Sequence, residues 1–300
     1  MLEGKVTRAA GGFFTVCDQA GNEYICRARG TIKRNKTSLM VGDRVIFKPD
    51  QNNDHNQAGQ GIIEELLPRS NCLKRPPVAN VDQLVIVMSL RQPGCDWQLI
   101  SRLFVLAEQE KMIAFLCLNK TDLVDSDELD RLNNELDSYP YPAIPTSAVN
   151  GSGLKSLQDR LRAQCSVFAG PSGVGKSSLL NAIQPGLSLK TGTVSDKIKR
   201  GRHTTRQAEL LRVGGDGTVV DTPGFTRLNF FDLHQDQLSD LFPEFEPLQA
   251  NCGFRNCRHI SEPDCAVRRE IGEKVNPVRY QHYQYFFDEL SKGRHSDHVN

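Results

Sequence analysis

The stretch "CSVFAGPSGVGKSSLLNAI", Cys165 to Ile183, decides the fold. Its first five residues are small or apolar and read as a buried strand. "GPSGVGKS" then matches G-x-x-x-x-G-K-[ST], and "KSSLLNAI" reads as the helix that follows it. Gly170, Gly173 and Gly175 let successive backbone N–H groups turn inward around phosphate oxygens. Lys176 then reaches the β- and γ-phosphates, and the Ser177 hydroxyl binds magnesium. The helix N-terminus adds positive potential, so Pro171, Ser172, Val174 and Ser178 complete the phosphate cradle. A strand, glycine loop and helix in this order predict an α/β fold.

Upstream, "MIAFLCLNKTD" is a second buried strand, ending in "NKTD", Asn119 to Asp122. The tetrad resembles the N-K-x-D segment of GTPases, whose Asp accepts hydrogen bonds from the N1–H and exocyclic amine of guanine, and Asp122 is expected to do the same. Adenine has no such donor pair and would leave the carboxylate unpaired, which gives the discrimination its strength. Asn119 would hold the surrounding loops, the Lys120 stem would pack over the base, and Thr121 completes the motif. "TSA" follows the next strand and offers Ser147 and Ala148 as a supporting base contact. Downstream, "GTVVDTPG" places Asp221 for magnesium and Gly224 for the γ-phosphate. Between the phosphate loop and "DTPG", "GRHTTR" occupies the place of a first switch. Thr205, directly before the arginine, is chosen over Thr204 to complete the magnesium shell. Phe225, after Gly224, cannot orient an attacking water, so His203 is the nearest catalytic candidate. A P-loop kinase or ATPase shares the phosphate loop but has no use for "NKTD" and "TSA".

The rest of the chain divides by rhythm. Residues 1–68 read as short strands rich in β-branched and aromatic residues, closed as a small barrel, OB-type by choice although the spacing also fits an SH3-like barrel. "KRPPVAN", Lys74 to Asn80, reads as a linker. Alternating apolar strands and helices over 69–231 predict a parallel sheet covered on both faces. Residues 232–300 read as mostly helical, with Tyr280, Tyr283, Phe287 and Leu290 on one helical face and a frayed polar tail. Within them Cys252, Cys257, His259 and Cys265 give C-x4-C-x-H-x5-C, three thiolates and an imidazole suited to a closed, structural zinc site. Few apolar residues flank this cluster, so the metal is expected to replace a core there.

Composition sets the setting. Of 300 residues, 38% are hydrophobic and 24% charged, which is ordinary for a globular protein. No apolar run approaches the length of a membrane span, the N-terminus lacks a signal-peptide core, and nine cysteines do not make a secreted disulfide framework. A cytoplasmic, monomeric protein without membrane contact is expected. The net charge is only +1, yet "RARGTIKRNK" (Arg27 to Lys36) and "KIKRGRHTTR" (Lys197 to Arg206) each carry five basic residues and no acid. A third basic region surrounds the cysteine cluster. Such strips are candidate phosphate-backbone contacts.

The order NKTD, TSA, GPSGVGKSS, GRHTTR, DTPG resembles the circularly permuted GTPases. With a small N-terminal barrel and a Cys/Cys/His/Cys segment, the whole chain is similar to the RsgA (YjeQ) family of small ribosomal subunit biogenesis GTPases. The resemblance implies an OB fold for the barrel. It implies a GTPase activated by the small ribosomal subunit, binding rRNA and acting late in subunit maturation. A hydrophobic residue at the position of Phe225 belongs to the family pattern, and the switch histidine, His203 here, is its suspected stand-in. Permutation places the guanine-reading half next to the barrel. It also leads the second switch directly toward the cysteine cluster.

Overall fold

The computed structural model describes residues 1–30, 32, 38–50, 59–74, 77–136, 139–187, 189, 208–221 and 233–296. The N-terminal strands are β1 (Leu2–Ala10), β2 (Phe13–Asp18), β3 (Glu23–Ala28), β4 (Arg44–Pro49) and β5 (Gly59–Leu66). They run in the order β1-β2-β3-β5-β4, and β4 pairs back onto β1. β3 and β5 are parallel, whereas the other neighbours are antiparallel. This five-stranded closure is the OB topology, and it removes the SH3-like alternative. Val6, Val16, Cys26, Val45, Phe47 and Ile63 point inward and fill the barrel, as a two-residue side-chain period requires.

The segment expected as a linker is partly a hairpin: β6 (Cys72–Lys74) pairs with β7 (Pro77–Ala79). A two-stranded ribbon tolerates proline at a strand start, where its missing N–H goes unused. Two asparagines brace the hairpin. Asn71 Nδ2 donates to the Val81 carbonyl at 2.7 Å, and Asn80 Nδ2 donates to the Gly42 carbonyl at 3.0 Å. Gly42 has φ +89°, and a Cβ there would sit 2.0 Å from the Ala79 carbonyl oxygen. The barrel is therefore fastened at close range to the sheet that follows.

That sheet contains β8 (Gln83–Ser89), β9 (Ile113–Asn119), β10 (Ala143–Pro145), β11 (Cys165–Ala169), β12 (Glu209–Val213) and β13 (Gly217–Asp221). Their spatial order is β10-β9-β8-β11-β13-β12. All neighbours are parallel except β12, which runs antiparallel to β13. β11, fourth of these strands in sequence, lies between β8 and β13 at the centre. Reading from β11 to β13 and then from β8 to β10 recovers an unpermuted order, so the permutation changes connectivity and not the sheet. β12 was not read from the sequence. A single ladder pair, Arg8 with Glu209, joins it to β1 of the barrel.

β8 is buried along its whole length, and its residues alternate between two layers. Leu84, Ile86 and Met88 pack with Ile100, Leu103 and Phe104 of α1 (Trp97–Gln109). Val85 and Val87 pack on the other face with Leu157 and Leu161 of α3 (Leu154–Leu161) and Leu179 of α4 (Lys176–Ile183). The intervening helix is α2 (Ser126–Leu136). Each fully buried side chain of this kind contributes about 1.5–3 kcal/mol, which fixes the sheet as the platform for the loops at its carboxyl ends.

The C-terminal residues form a 3-10 helix (Gln235–Leu241), α5 (Glu246–Gln249), α6 (Ala266–Arg269) and α7 (Pro277–Ser296). Contrary to expectation, this segment has an apolar core of its own. Leu238, Phe242, Phe245, Val267, Tyr283 and Phe286 cluster there, joined by Val105 of α1. The aromatics lie on both sides of the cysteine cluster in sequence and meet only on folding, so a local reading does not see them together. Tyr280 and Tyr283 are buried as expected. Phe286, outside the expected stripe, is also fully buried because α7 faces both its own segment and α1. Arg279 is buried too, paired with Glu244, with its guanidinium 4.7 Å from the Phe242 ring and 5.3 Å from that of Tyr141. α7 also extends into the tail expected to fray.

Candidate functional site

Gly170 leaves β11 with φ +144°, and a Cβ there would lie 2.0 Å from the Val87 carbonyl oxygen of β8. Gly173 and Gly175 also have positive φ, so the loop curls back on itself as the motif requires. Lys176 Nζ donates to the carbonyls of Gly170 and Pro171 at 2.7 and 2.8 Å, which draws the ammonium across the mouth of the loop. Ser177 and Ser178 lie half-buried in the first turn of α4.

The "NKTD" segment is bound to this loop. Asn119, 1% exposed at the end of β9, donates from Nδ2 to the Val174 carbonyl at 2.8 Å. Its Oδ1 accepts from the Ala148 N–H at 3.3 Å. One buried amide thus ties together the phosphate loop, the β9 end and the "TSA" loop. Lys120 takes the left-handed conformation, φ +66°, and its ammonium donates to the Gln92 carbonyl. Thr121 Oγ1 donates to the Thr146 carbonyl at 3.0 Å, and the buried Ser147 donates from Oγ to Asp122 Oδ1 at 2.5 Å. Asp122 remains exposed. A carboxylate held at one oxygen by a hydroxyl and open at its edge can accept a pair of donors from a planar base.

The four residues of the cysteine cluster also converge. The ligand atoms of Cys252, Cys257, His259 and Cys265 all lie within 4.8 Å of one another. His259 Nδ1 stands 3.7 Å from Cys252 Sγ and 3.4 Å from Cys265 Sγ. Zinc bonds of about 2.0–2.3 Å at tetrahedral angles imply edges of roughly 3.5 Å, so the donor set fits that metal. All three cysteines are free thiols. Burial, with the neighbouring thiols, pushes the Cys257 thiol up to about 12, and burial pulls the His259 imidazole down. A neutral imidazole is the form that binds metal, and a cation relieves the cost of crowded thiolates. The cluster is held by Tyr280, whose hydroxyl donates to the His259 carbonyl at 2.6 Å, and by Tyr283, donating to that of Arg258 at 2.5 Å.

Comparison with known proteins agrees with this arrangement. The RsgA GTPase family model matches residues 66–231, and that of the RsgA N-terminal domain matches residues 3–56. The small ribosomal subunit biogenesis GTPase RsgA of Moorella thermoacetica is 44% identical over 96% of this chain and 97% of its own. That of Geobacillus kaustophilus is 42% identical over 97% and 98%. The chain belongs to the RsgA GTPase family. The crystal structure of YjeQ from Thermotoga maritima superposes with a TM-score of 0.84 at 37% identity, covering 96% of this chain and 98% of that one. YloQ, a circularly permuted GTPase, superposes with a TM-score of 0.82 at 34% identity, covering 97% and 96%.

Within this RsgA-family fold, the residues named from the phosphate loop, "NKTD", "TSA" and the cysteine cluster fall into two compact sites. His203, Thr205 and Gly224 lie outside the described residues, as do Lys33, Arg34, Lys36 and the strip from Lys197 to Arg206. Asp221 is described in its backbone, at the end of β13 beside β11. Sequence reasoning missed the loop "RQPG", Arg91 to Gly94. Gln92 receives Lys120, and Pro93 Cδ lies 3.7 Å from where a Gly173 Cβ would be. Its signal was available: a proline-glycine turn directly after a buried strand.

Proposed function

We propose that this chain binds and hydrolyses GTP as a late maturation factor of the small ribosomal subunit, binding rRNA and stimulated by the subunit. The relatives' names and the site chemistry support this reading. One observation carries its nucleotide part: the Asn119 amide joins the guanine-reading loop to the Val174 carbonyl of the phosphate loop. An ATPase or kinase reading gives that link no purpose.

In this reading Asp122 accepts from the guanine edge, Ser147 and Ala148 support it, and Lys120 lies along the base. The backbone from Gly170 to Gly175, with Lys176, holds the phosphates. Ser177, Thr205 and Asp221 would hold magnesium, which neutralises charge on the β- and γ-oxygens. Gly224 senses the γ-phosphate, and His203 orients the attacking water in place of the glutamine that Phe225 displaces. Cys252, Cys257, His259 and Cys265 would hold one structural zinc. The division into a barrel (1–68), a permuted GTPase unit (69–231) and a metal-binding unit (232–300) belongs to the same proposal. So do a monomeric state and a cytoplasmic location. No helix among the described residues is long and apolar enough to cross a membrane.

Competition of unlabelled nucleotides against a fluorescent GTP analogue tests the nucleotide assignment. GTP and GDP are expected to displace it and ATP to fail. Equal displacement by ATP contradicts the reading.

A further inference from the structure

A cleft of about 410 Å³ opens beside the cysteine cluster, between the 3-10 helix and the loop that carries Cys257. Phe254, Arg255 and Asn256 line it from the loop, Ser239 and Asp240 from the 3-10 helix, and Gln249 from α5. Phe254 is 51% exposed. A phenyl ring left in water forgoes the stabilisation of apolar burial, and here it stands at the edge of a polar cavity. The side chains of Ser239, Asp240, Gln249, Arg255 and Asn256 make no hydrogen bond or ion pair with any described residue.

The walls are nonetheless held in place. Arg258 Nη2 pairs with Asp236 Oδ1 at 2.9 Å, joining the loop to the 3-10 helix. Glu262 accepts the backbone N–H groups of Arg258, Ile260 and Ser261 at 2.8–3.1 Å, and the Tyr283 hydroxyl fixes the Arg258 carbonyl. The cleft is a braced structure with open hydrogen-bonding capacity.

Its chemistry selects an occupant. One exposed aromatic ring offers a stacking face. Two amides offer both donors and acceptors, a carboxylate offers acceptors, and a guanidinium offers charge. A protein partner would meet too little apolar surface for an interface core. A base in a duplex presents neither a free face nor a free Watson–Crick edge, whereas unpaired RNA bases stack on aromatic rings and bond at their edges. We infer that this cleft takes one unpaired RNA base, stacked on Phe254, its edge met by Asn256, Gln249 and Asp240 and the adjoining phosphate by Arg255. The inference rests on the rRNA-binding reading above and assigns it a site.

The test uses the full zinc-loaded chain and fluorescence anisotropy with a single-stranded, unstructured RNA decamer of mixed sequence. Decamers carrying one abasic position, moved along the strand, serve as probes of the base itself. Phe254→Ala is expected to weaken binding roughly 5- to 150-fold, the effect of losing one base–aromatic stack. Phe254→Leu keeps apolar bulk and is expected to lose nearly as much, whereas Phe254→Trp restores binding. At one abasic position the parent is expected to lose the same factor and Phe254→Ala to lose nothing further. Zinc content and GTP affinity are expected to stay at parental values in all three variants. Parental RNA affinity in Phe254→Ala and Phe254→Leu would overturn the cleft assignment, as would a parent that binds small subunits but not the decamer. A parent that binds neither decamer nor subunit would overturn the rRNA reading as well.

Discussion

At the scale of single residues, the proposed nucleotide site depends on two side chains with separate duties. Asp122 is exposed and supported at one oxygen by Ser147, a position that fits the proposed recognition of a base better than packing. Asp122→Asn replaces an acceptor with an amide that donates. GTP affinity is expected to fall roughly 10- to 150-fold, the worth of a charged hydrogen bond. Xanthine nucleotides, whose C2 oxygen accepts from the amide, should bind better than to the parent; calorimetric titration of both nucleotides checks this. Asn119 is the structural counterpart. Gly175, φ +98°, leaves room for it: a Cβ there would fall 2.2 Å from Asn119 Nδ2. Gly175→Ala is therefore expected to break the bridge between the two loops. It should lower both GTP affinity and melting temperature, whereas Asp122→Asn leaves stability unchanged. These residues were legible in the sequence because their signals are local: a glycine loop after an apolar run, and a polar tetrad after another. The amide bridge itself was less legible, since Asn119 and Val174 lie far apart in the chain.

At the scale of elements, the contact between α1 and α7 was invisible to periodicity, because each helix was read against one core only. Ser101 Oγ and His282 Nδ1 share a hydrogen bond of 2.8 Å there, and Arg102 pairs with Glu289. Burial first, then the nearby Arg279 charge, lowers the His282 pKa, and Asp96 partly opposes this. The unfolded chain, with an ordinary pKa near 6.5, thus binds the proton more tightly than the folded one. The stability contributed by neutral His282 is complete above about pH 6.5 and is lost as pH falls through 6.5 toward the folded-state value. Calorimetry from pH 8 to pH 5 should show the parent losing melting temperature faster than His282→Gln over the acid part of that range. Parallel curves would deny His282 this role. The cysteine cluster was legible from spacing alone, but its surroundings were not. Cys257→Ala should abolish stoichiometric zinc, measured by metal analysis, and loosen the loop. Because Phe242, Phe245, Tyr283 and Phe286 form their own cluster, most of the helical signal in circular dichroism should survive, and so should GTP binding.

At the scale of the molecule, the permutation orders the parts along one path. Asn71 and Asn80 tie the barrel to the hairpin and to Val81, just before β8, and the barrel touches β12 at Arg8, so it sits against the central sheet. The cysteine segment packs on α1, on the other side of β8 in sequence from the barrel. Sequence alternation made the sheet legible almost strand by strand, and the reversed motif order revealed the permutation. The short β12 escaped because five residues, paired along one side and at a single position on the other, carry little pattern. The most direct measurement is the steady-state rate of GTP hydrolysis by the full chain, with and without purified small ribosomal subunits. The rate without subunits should be slow, since Phe225 cannot align water, and it should rise severalfold or more when subunits are added, with large subunits giving no rise. An equal rate in the presence and absence of small subunits would contradict the account.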